Sequence, residues 1–155
     1  MTVAKARSAR AHARYEDDVL LWSQQQARAL RDRRFAELDI EHLADEIEDV
    51  GKSEKRELAS RLAVLLAHLL KWRFQPNLRS NSWRATIRLQ RRRVALALRE
   101  TPSLISIMRD PDWRESAWLD AVARAAKETG RPEDEFPESC PWSYDQACDS
   151  EFWPD

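Results

Sequence analysis

Glycine and cysteine are both rare in this chain, with two of each among 155 residues. Hairpin-rich β folds place glycine at turns where φ is positive, so its scarcity argues against them and favours helices. A phosphate-binding loop needs several glycines close together, whereas Gly51 and Gly130 are far apart. We therefore expect no nucleotide cofactor, and no other cofactor is implied.

Two cysteines are also too few for the disulfide framework of a small secreted domain. The opening residues, MTVAKARSARAHAR, are basic and have no apolar run behind them, so they do not resemble a secretory signal. We interpret residues 1–14 as a flexible basic arm. We expect a cytoplasmic protein whose cysteines, Cys140 and Cys148, are free thiols.

Long apolar runs are missing as well. The longest is LAVLLAHLL, which has nine residues and is interrupted by His68. A membrane-spanning helix needs about 20 predominantly apolar residues. We therefore expect no contact with a membrane.

Charge is plentiful but unevenly placed, although the net charge is only −1. Residues 37–57 carry nine acidic and three basic groups, whereas residues 58–99 carry ten basic groups and no acid. Residues 100–155 are acidic again, with fourteen acidic and five basic groups. Blocks of opposite sign predict pairing within the fold, or contacts with a partner or a second copy.

Apolar residues recur every three or four positions over a long central stretch, which predicts a helix. The pattern runs from Ile40 to Trp72, with Asp39 as the expected N-cap. It passes through Gly51, which leaves a kink or a break open there. We predict an all-α fold of four or five helices, without β-sheet, around one long central helix at about residues 39–75.

A third helix carries two apolar rows on nearly opposite sides, so we expect it to be packed on both. The rows are Trp83, Ile87, Val94 and Leu98, and Ala85, Leu89 and Leu96. The end of the chain is acidic, aromatic and marked by prolines, and we expect it to wrap the bundle. The predicted organisation is one domain, with a bundle at residues 15–130 and this C-terminal segment at residues 131–155.

Several stretches together resemble one bacterial family. They are YEDDVLLWSQQQARALRDRRFAELDIEHLADEIEDVGKSEKREL, RLAVLLAHLLKWRFQP, SNSWRATI and FPESCPW. That family is catalogued as a domain of unknown function, number 29 in its series, and the resemblance covers about residues 15–153. It implies a compact all-helical domain, and it implies no activity.

The stretch LLAHLLKWRFQPNLRSNSWRATIRLQRRR, residues 65–93, passes from an apolar helix into a string of arginines. Arginine forks bind carboxylates and phosphates, and Trp72, Phe74 and Trp83 could stack on unpaired bases. The alternative is that these aromatics are core anchors and the arginines pair with residues 41–49 or with the acidic C-terminal segment. The candidate binding residues are Lys71, Arg73, Arg79, Arg84, Arg88, Arg91 and Arg92. Of these, Arg84, Arg88, Arg91 and Arg92 share one face of the predicted third helix, at i, i+4, i+7 and i+8, and we expect them to form an arginine ridge that faces outward.

Arg61 and His68 are seven residues apart on the predicted long helix and therefore share a face. Their spacing resembles the motif of the HEPN class of helical ribonucleases, an arginine followed after four to six residues by a histidine. The resemblance implies that His68 transfers a proton at a ribose oxygen and that Arg61 steadies the phosphate. This chain has Leu62 where the motif has a polar residue. The other interpretation is a core histidine beside a paired arginine.

The acidic stretch at residues 41–49 places His42 with Glu46, and Asp45 with Asp49, at the i, i+4 spacing of helical metal ligands. No second helix offers a matching set that includes a histidine, so we expect a solvated face and no metal site.

Together these observations favour a non-enzymatic interaction module. Its basic segment, residues 71–93, would engage an acidic protein surface or a second copy of the chain. Nucleic-acid binding by the same segment is one alternative. A metal-independent ribonuclease that uses Arg61 and His68 is the other.

Overall fold

The computed structural model describes residues 12–155, so residues 1–11 of the predicted arm lie outside the described part of the chain. Within residues 12–155 the chain is helical and contains no β-strand. The predicted all-α class is therefore confirmed. The helices are α1 (Val19–Arg31), α2 (Ile40–Phe74), α3 (Asn81–Glu100), α4 (Leu104–Arg109), α5 (Pro111–Thr129) and α6 (Tyr144–Cys148).

The chain divides into two compact units, Met1–Gly51 and Lys52–Asp155. Helix α2 contributes its first part to one unit and its remainder to the other. The predicted division into residues 1–14, 15–130 and 131–155 differs from these two units in its boundaries, and it stays a prediction. No helix in residues 12–155 has both the length and the apolar composition that crossing a bilayer requires.

Polar contacts around Asp39 organise the first unit. The buried Trp22 donates from Nε1 to the Asp39 carboxylate at 3.0 Å, and the buried Gln26 accepts the Asp39 backbone N–H at 2.8 Å. Large apolar side chains remain exposed here, so periodic apolar positions in this unit do not all form core. They are Val19, Leu20, Leu21, Leu30, Phe35, Ile40, Ile47 and Val50.

The second unit has a dense apolar core around the C-terminal part of α2. Six leucines of this helix are fully buried and form neighbouring rows, so other elements cover the helix on more than one side. Ile87 and Val94 of α3 and Trp118 of α5 belong to the same cluster. The leucines are Leu58, Leu62, Leu65, Leu66, Leu69 and Leu70.

The C-terminal segment adds aromatic side chains to this core. Phe136, Trp142 and Tyr144 are buried, and Trp153 is partly buried against the same cluster. Ser143 caps α6 by accepting the Gln146 backbone N–H, and the Gln146 side chain accepts the Ser143 N–H in return. Through its buried aromatic side chains the C-terminal segment packs on the helices of the second unit.

Helix α2 continues through Gly51 without a break. Gly51 is exposed, and a Cβ added there would meet nothing within 4 Å. Alanine is more favourable than glycine in a helix interior by about 1 kcal/mol. We therefore expect Gly51→Ala to raise the free energy of unfolding by about 0.5–1 kcal/mol, measured by urea unfolding followed by circular dichroism.

The matched control is Gly130→Ala, which should have the opposite sign. Gly130 ends α5 with φ of +70°, a left-handed conformation that costs alanine about 1 kcal/mol. An unchanged or lower stability of Gly51→Ala would mean that α2 bends at this position in solution.

Candidate interaction site

The outward side of α3 carries a row of three arginines. Ser80 begins the helix by accepting the Trp83 backbone N–H at 3.1 Å. Arg84, Arg88 and Arg92 follow at i, i+4 and i+8, so they succeed one another about every 6 Å along the helix axis. All three are exposed, as the predicted arginine ridge requires.

The charge of this row is not neutralised within the second unit. Across residues 52–155 no carboxylate forms a salt bridge with Arg84, Arg88 or Arg92. The Arg84 guanidinium lies 5.6 Å from the centre of the Trp72 ring. That contact orients the guanidinium but does not cancel its charge. The row therefore presents three net positive charges.

Two leucines lie beside the arginine row. Leu89 is 47% exposed and Leu96 is 40% exposed. The prediction that this second apolar row is packed is wrong, because Ala85 in the same row is exposed as well. The core of the second unit covers α3 on one side only. We call Arg84, Arg88, Leu89, Arg92 and Leu96 the α3 outer face.

Arg91 does not belong to this face, which corrects its predicted place in the ridge. Its side chain is buried because the C-terminal segment packs over it, although Arg91 is only two turns from the exposed Arg84. Its guanidinium donates to three carbonyl oxygens of the C-terminal segment, and burial lowers its pKa. The acceptors are Ala147 at 2.8 Å, Ser150 at 3.5 Å and Phe152 at 2.6 Å.

Lys71 is also buried rather than available for binding. Its Nζ lies 2.6 Å from the Glu128 carboxylate and 4.8 Å from the centre of the Trp83 ring. Partial burial acts to raise the pKa of Glu128, but the hydrogen bond and charge of Lys71, together with the charges of His68 and Arg124, leave that pKa lowered. The pair ties α2 to α5 inside the second unit.

Arg73 and Arg79 lie at the end of α2 and in the loop that follows. Arg73 is exposed, with its guanidinium 5.7 Å from the centre of the Phe74 ring. Arg79 donates from Nε to the Trp72 carbonyl at 2.8 Å and from Nη2 to the Pro154 carbonyl at 3.5 Å. Arg79 therefore links the end of α2 to the end of the chain, whereas Arg73 stays exposed.

The aromatic residues of the basic segment are packed against other side chains of the second unit. Trp72 is buried, with its ring centre 4.7 Å from that of Trp153. Phe74 packs edge-on against Phe136 at 5.4 Å, and Trp83 is partly buried against the core. These rings act as core anchors, which is the alternative that the sequence left open.

His68 is half-buried on α2. Its Nδ1 lies 2.9 Å from the Val64 carbonyl, which suits a neutral ring that donates this hydrogen bond. Burial lowers the pKa of His68 below its usual value. The ring is therefore mainly neutral at pH 7, and it interacts electrostatically with Lys71 and Glu128.

Arg61 is directed to a different neighbour. It forms a salt bridge with Glu57 one turn earlier and lines a small groove together with Arg93 and Glu100 of α3. His68 interacts instead with charged residues of α5. The two side chains share a helix but are engaged with different helices, so the geometry gives the ribonuclease alternative no support.

The acidic stretch of α2 makes local contacts in the first unit. His42 Nδ1 lies 2.7 Å from the Asp39 carboxylate, and this hydrogen bond raises the pKa of His42. Glu46 accepts the Tyr15 hydroxyl at 2.6 Å. Within residues 12–155 no group of three or more His, Cys, Asp or Glu side chains could hold a metal ion.

A groove between α2 and α5 was not predicted from the sequence. Its volume is about 1090 Å³. Its residues come from two segments far apart in the chain, and the sequence signal was small residues at helical spacing on both, as at Ala59 and Ala63. The lining residues are Lys52, Lys55, Arg56, Ala59, Ser60, Ala63, Trp113, Ser116, Asp120, Ala123, Arg124, Lys127 and Glu128.

Comparison with known proteins places this fold in a family. The domain of unknown function DUF29 matches residues 14–153. The chain belongs to this family. The resemblance noted in the sequence is thereby confirmed, and the DUF29 match covers both units.

A similar solved structure is the crystal structure of an alpha-helical protein of unknown function from Rhodospirillum rubrum. It is 28% identical in sequence, with a TM-score of 0.54, over 91% of this chain and 92% of that one. No curated protein matches the chain. The function of this DUF29 protein is therefore argued from its own surfaces.

Proposed function

We propose that this DUF29 protein is a non-enzymatic interaction module whose α3 outer face binds an acidic surface, on a partner protein or on a second copy of the chain. The observation that carries the proposal is the row Arg84, Arg88 and Arg92, which is exposed and has no carboxylate partner in the second unit. Leu89 and Leu96 add exposed apolar area beside it.

Each arginine of this row gains more from a new carboxylate than a paired surface arginine would. A paired surface arginine exchanges one carboxylate for another, with little net gain. An unpaired guanidinium has no carboxylate to give up before it binds a new one. Its planar fork can hold that carboxylate by two hydrogen bonds. Burial of the two leucines contributes about 25 cal/mol for each Å² removed from water. A surface that combines carboxylates with apolar side chains therefore fits this face best.

Nucleic-acid binding by the same segment has less support. Binding of single strands draws on open aromatic faces for stacking, but Trp72 and Phe74 are packed against other rings. The arginine row alone would offer phosphate contacts, which do not distinguish sequences. RNA therefore enters the experiment as the competing ligand.

Fluorescence anisotropy with two labelled probes of equal charge tests the proposal. The probes are an oligo-glutamate and a single-stranded RNA, each titrated across a salt series. We expect the native protein to bind oligo-glutamate. We expect a triple variant, Arg84→Gln with Arg88→Gln and Arg92→Gln, to bind it at least about tenfold more weakly, because each exposed ion pair is worth up to about 1 kcal/mol.

A second triple variant removes three positive charges elsewhere and serves as the control. It combines Arg31→Gln, Arg33→Gln and Arg109→Gln, at exposed positions outside the α3 outer face. Equal weakening by both variants would show that only net charge matters, and the proposal would be wrong. Tighter binding of the RNA, lost in the α3 variant, would instead make this a nucleic-acid-binding protein.

A further inference from the structure

The groove between α2 and α5 has a floor of small side chains. Ala59 and Ala63 lie one turn apart on α2, and Ser116 and Ala123 lie two turns apart on α5. Small residues let the backbone of a third helix approach to the 8–10 Å typical of packed helix axes. The partly buried Trp113 adds a large apolar surface to the lining.

The rims of the groove are basic on both sides. Lys55 and Arg56 come from α2, whereas Arg124 and Lys127 come from α5. Across residues 12–155 none of these four forms a salt bridge. The lining also contains two acids, of which Glu128 is held by Lys71. The groove therefore carries a net positive charge around an apolar floor.

The position of the groove along two helices favours a helix over a small molecule as its occupant. Its volume is about 1090 Å³. All its lining residues belong to two helices, so it forms a channel between them. An amphipathic helix that lays its apolar face into such a channel is a recurring mode of recognition.

We propose that this groove binds the apolar face of an acidic amphipathic helix supplied by a partner protein. Carboxylates on one flank of that helix would meet Lys55 and Arg56, and those on the other flank would meet Arg124 and Lys127. The basic opening of this chain is a poor occupant, because residues 1–11 carry Lys5, Arg7 and Arg10 and no acid. The proposal is independent of the α3 outer face, which uses other residues.

Two synthetic peptides of about 18 residues, or five helical turns, test the proposal by anisotropy. Both contain the same numbers of Leu, Ala and Glu. In one, Leu recurs every three or four positions to form an apolar face, and in the other the order is scrambled. We expect the amphipathic peptide to bind at least about tenfold more tightly than the scrambled one, because only the first can bury its leucines together.

Two groove variants separate shape from charge. Ser116→Trp fills the groove from an exposed position and leaves every charge in place, whereas Arg124→Glu with Lys127→Glu reverses one rim. Each should weaken binding of the amphipathic peptide at least about tenfold. Both are built into the Arg84/Arg88/Arg92 variant, so that binding of the peptide carboxylates to the α3 outer face does not contribute. Circular dichroism and thermal unfolding establish that each variant is folded.

Three results would overturn the proposal. Equal binding of the two peptides would show that the protein recognises only their charge. Native binding by Ser116→Trp and by the reversed rim would place the peptide elsewhere on the protein. Binding of anionic phospholipid vesicles, blocked by Ser116→Trp, with no binding of the amphipathic peptide, would assign the groove to a membrane surface.

Discussion

Arg91→Ala is expected to lower the free energy of unfolding by about 3 kcal/mol, because the substitution removes a charged donor from three carbonyls at once. Those carbonyls, at Ala147, Ser150 and Phe152, belong to the end of the chain, and Arg91 itself is only 5% exposed. Hydrogen bonds from a charged donor are worth about 1.5–3 kcal/mol each, but they are not additive. The loss should appear in urea unfolding.

The neighbouring Arg92→Ala is the matched control. Arg92 has the same chemistry and helix but is exposed, so its loss should change stability by no more than about 0.5 kcal/mol. Arg91→Lys should rescue little, because one ammonium group cannot replace a planar fork that reaches three acceptors. If Arg91→Ala and Arg92→Ala had the same stability, Arg91 would not anchor the C-terminal segment.

Trp118→Ala should be the more damaging of the two substitutions, with a loss of about 3–5 kcal/mol. The Trp118 side chain is 2% exposed, and its ring meets that of Trp142 edge-on with centres 6.4 Å apart. Its Nε1 also donates to the carbonyls of Pro137 at 3.1 Å and Glu138 at 3.2 Å. Alanine would leave a cavity and two carbonyls without this donor.

Trp118→Phe separates these two effects. Phenylalanine fills most of the space but cannot donate, so it should cost only about 1–2 kcal/mol for the lost hydrogen bonding and the smaller ring. Thermal unfolding followed by circular dichroism measures both variants. Equal losses for Phe and Ala would assign the effect to the hydrogen bonds alone, and no loss for Ala would show that Trp118 does not support the core.

Arg91 and Trp118 show how the C-terminal segment is held in the second unit. Arg91 and Trp118 lie on different helices, and both donate to backbone carbonyls beyond residue 136. The C-terminal segment is therefore held by side chains of α3 and α5. On α3, the buried Arg91 anchors the end of the chain, while Arg84, Arg88 and Arg92 remain exposed.

The candidate site was predicted only in part. Helical spacing placed Arg84, Arg88 and Arg92 on one face, because two consecutive i, i+4 steps rotate the position by only about 80° around the helix, and all three are exposed. The same spacing included Arg91, which differs from Arg92 by one residue, or about 100° around the helix. That rotation is enough to move a side chain from water into the core. The sequence alone could not show which of the neighbouring arginines on α3 the C-terminal segment covers.

Lys71 and the α2–α5 groove were beyond prediction for a different reason. Lys71 is neutralised by Glu128, a residue that approaches it only because α5 packs on α2. The groove lies between that same pair of helices, with Lys55 and Arg56 on α2 and Arg124 and Lys127 on α5. Interactions of this kind depend on which helices become neighbours, and local periodicity contains no information about that choice.

Composition and periodicity were sufficient to predict the helices, the long α2 and the absence of strands from residues 12–155, because few glycines and a repeat of three to four residues are local properties of a chain. Tertiary packing decided which of these side chains are exposed and therefore able to bind a partner. It left α3 open on one side, buried Arg91 and Lys71, and engaged Trp72 and Phe74 with other rings. Burial depends on contacts between distant segments, so the free arginines of this protein became visible only in the folded chain.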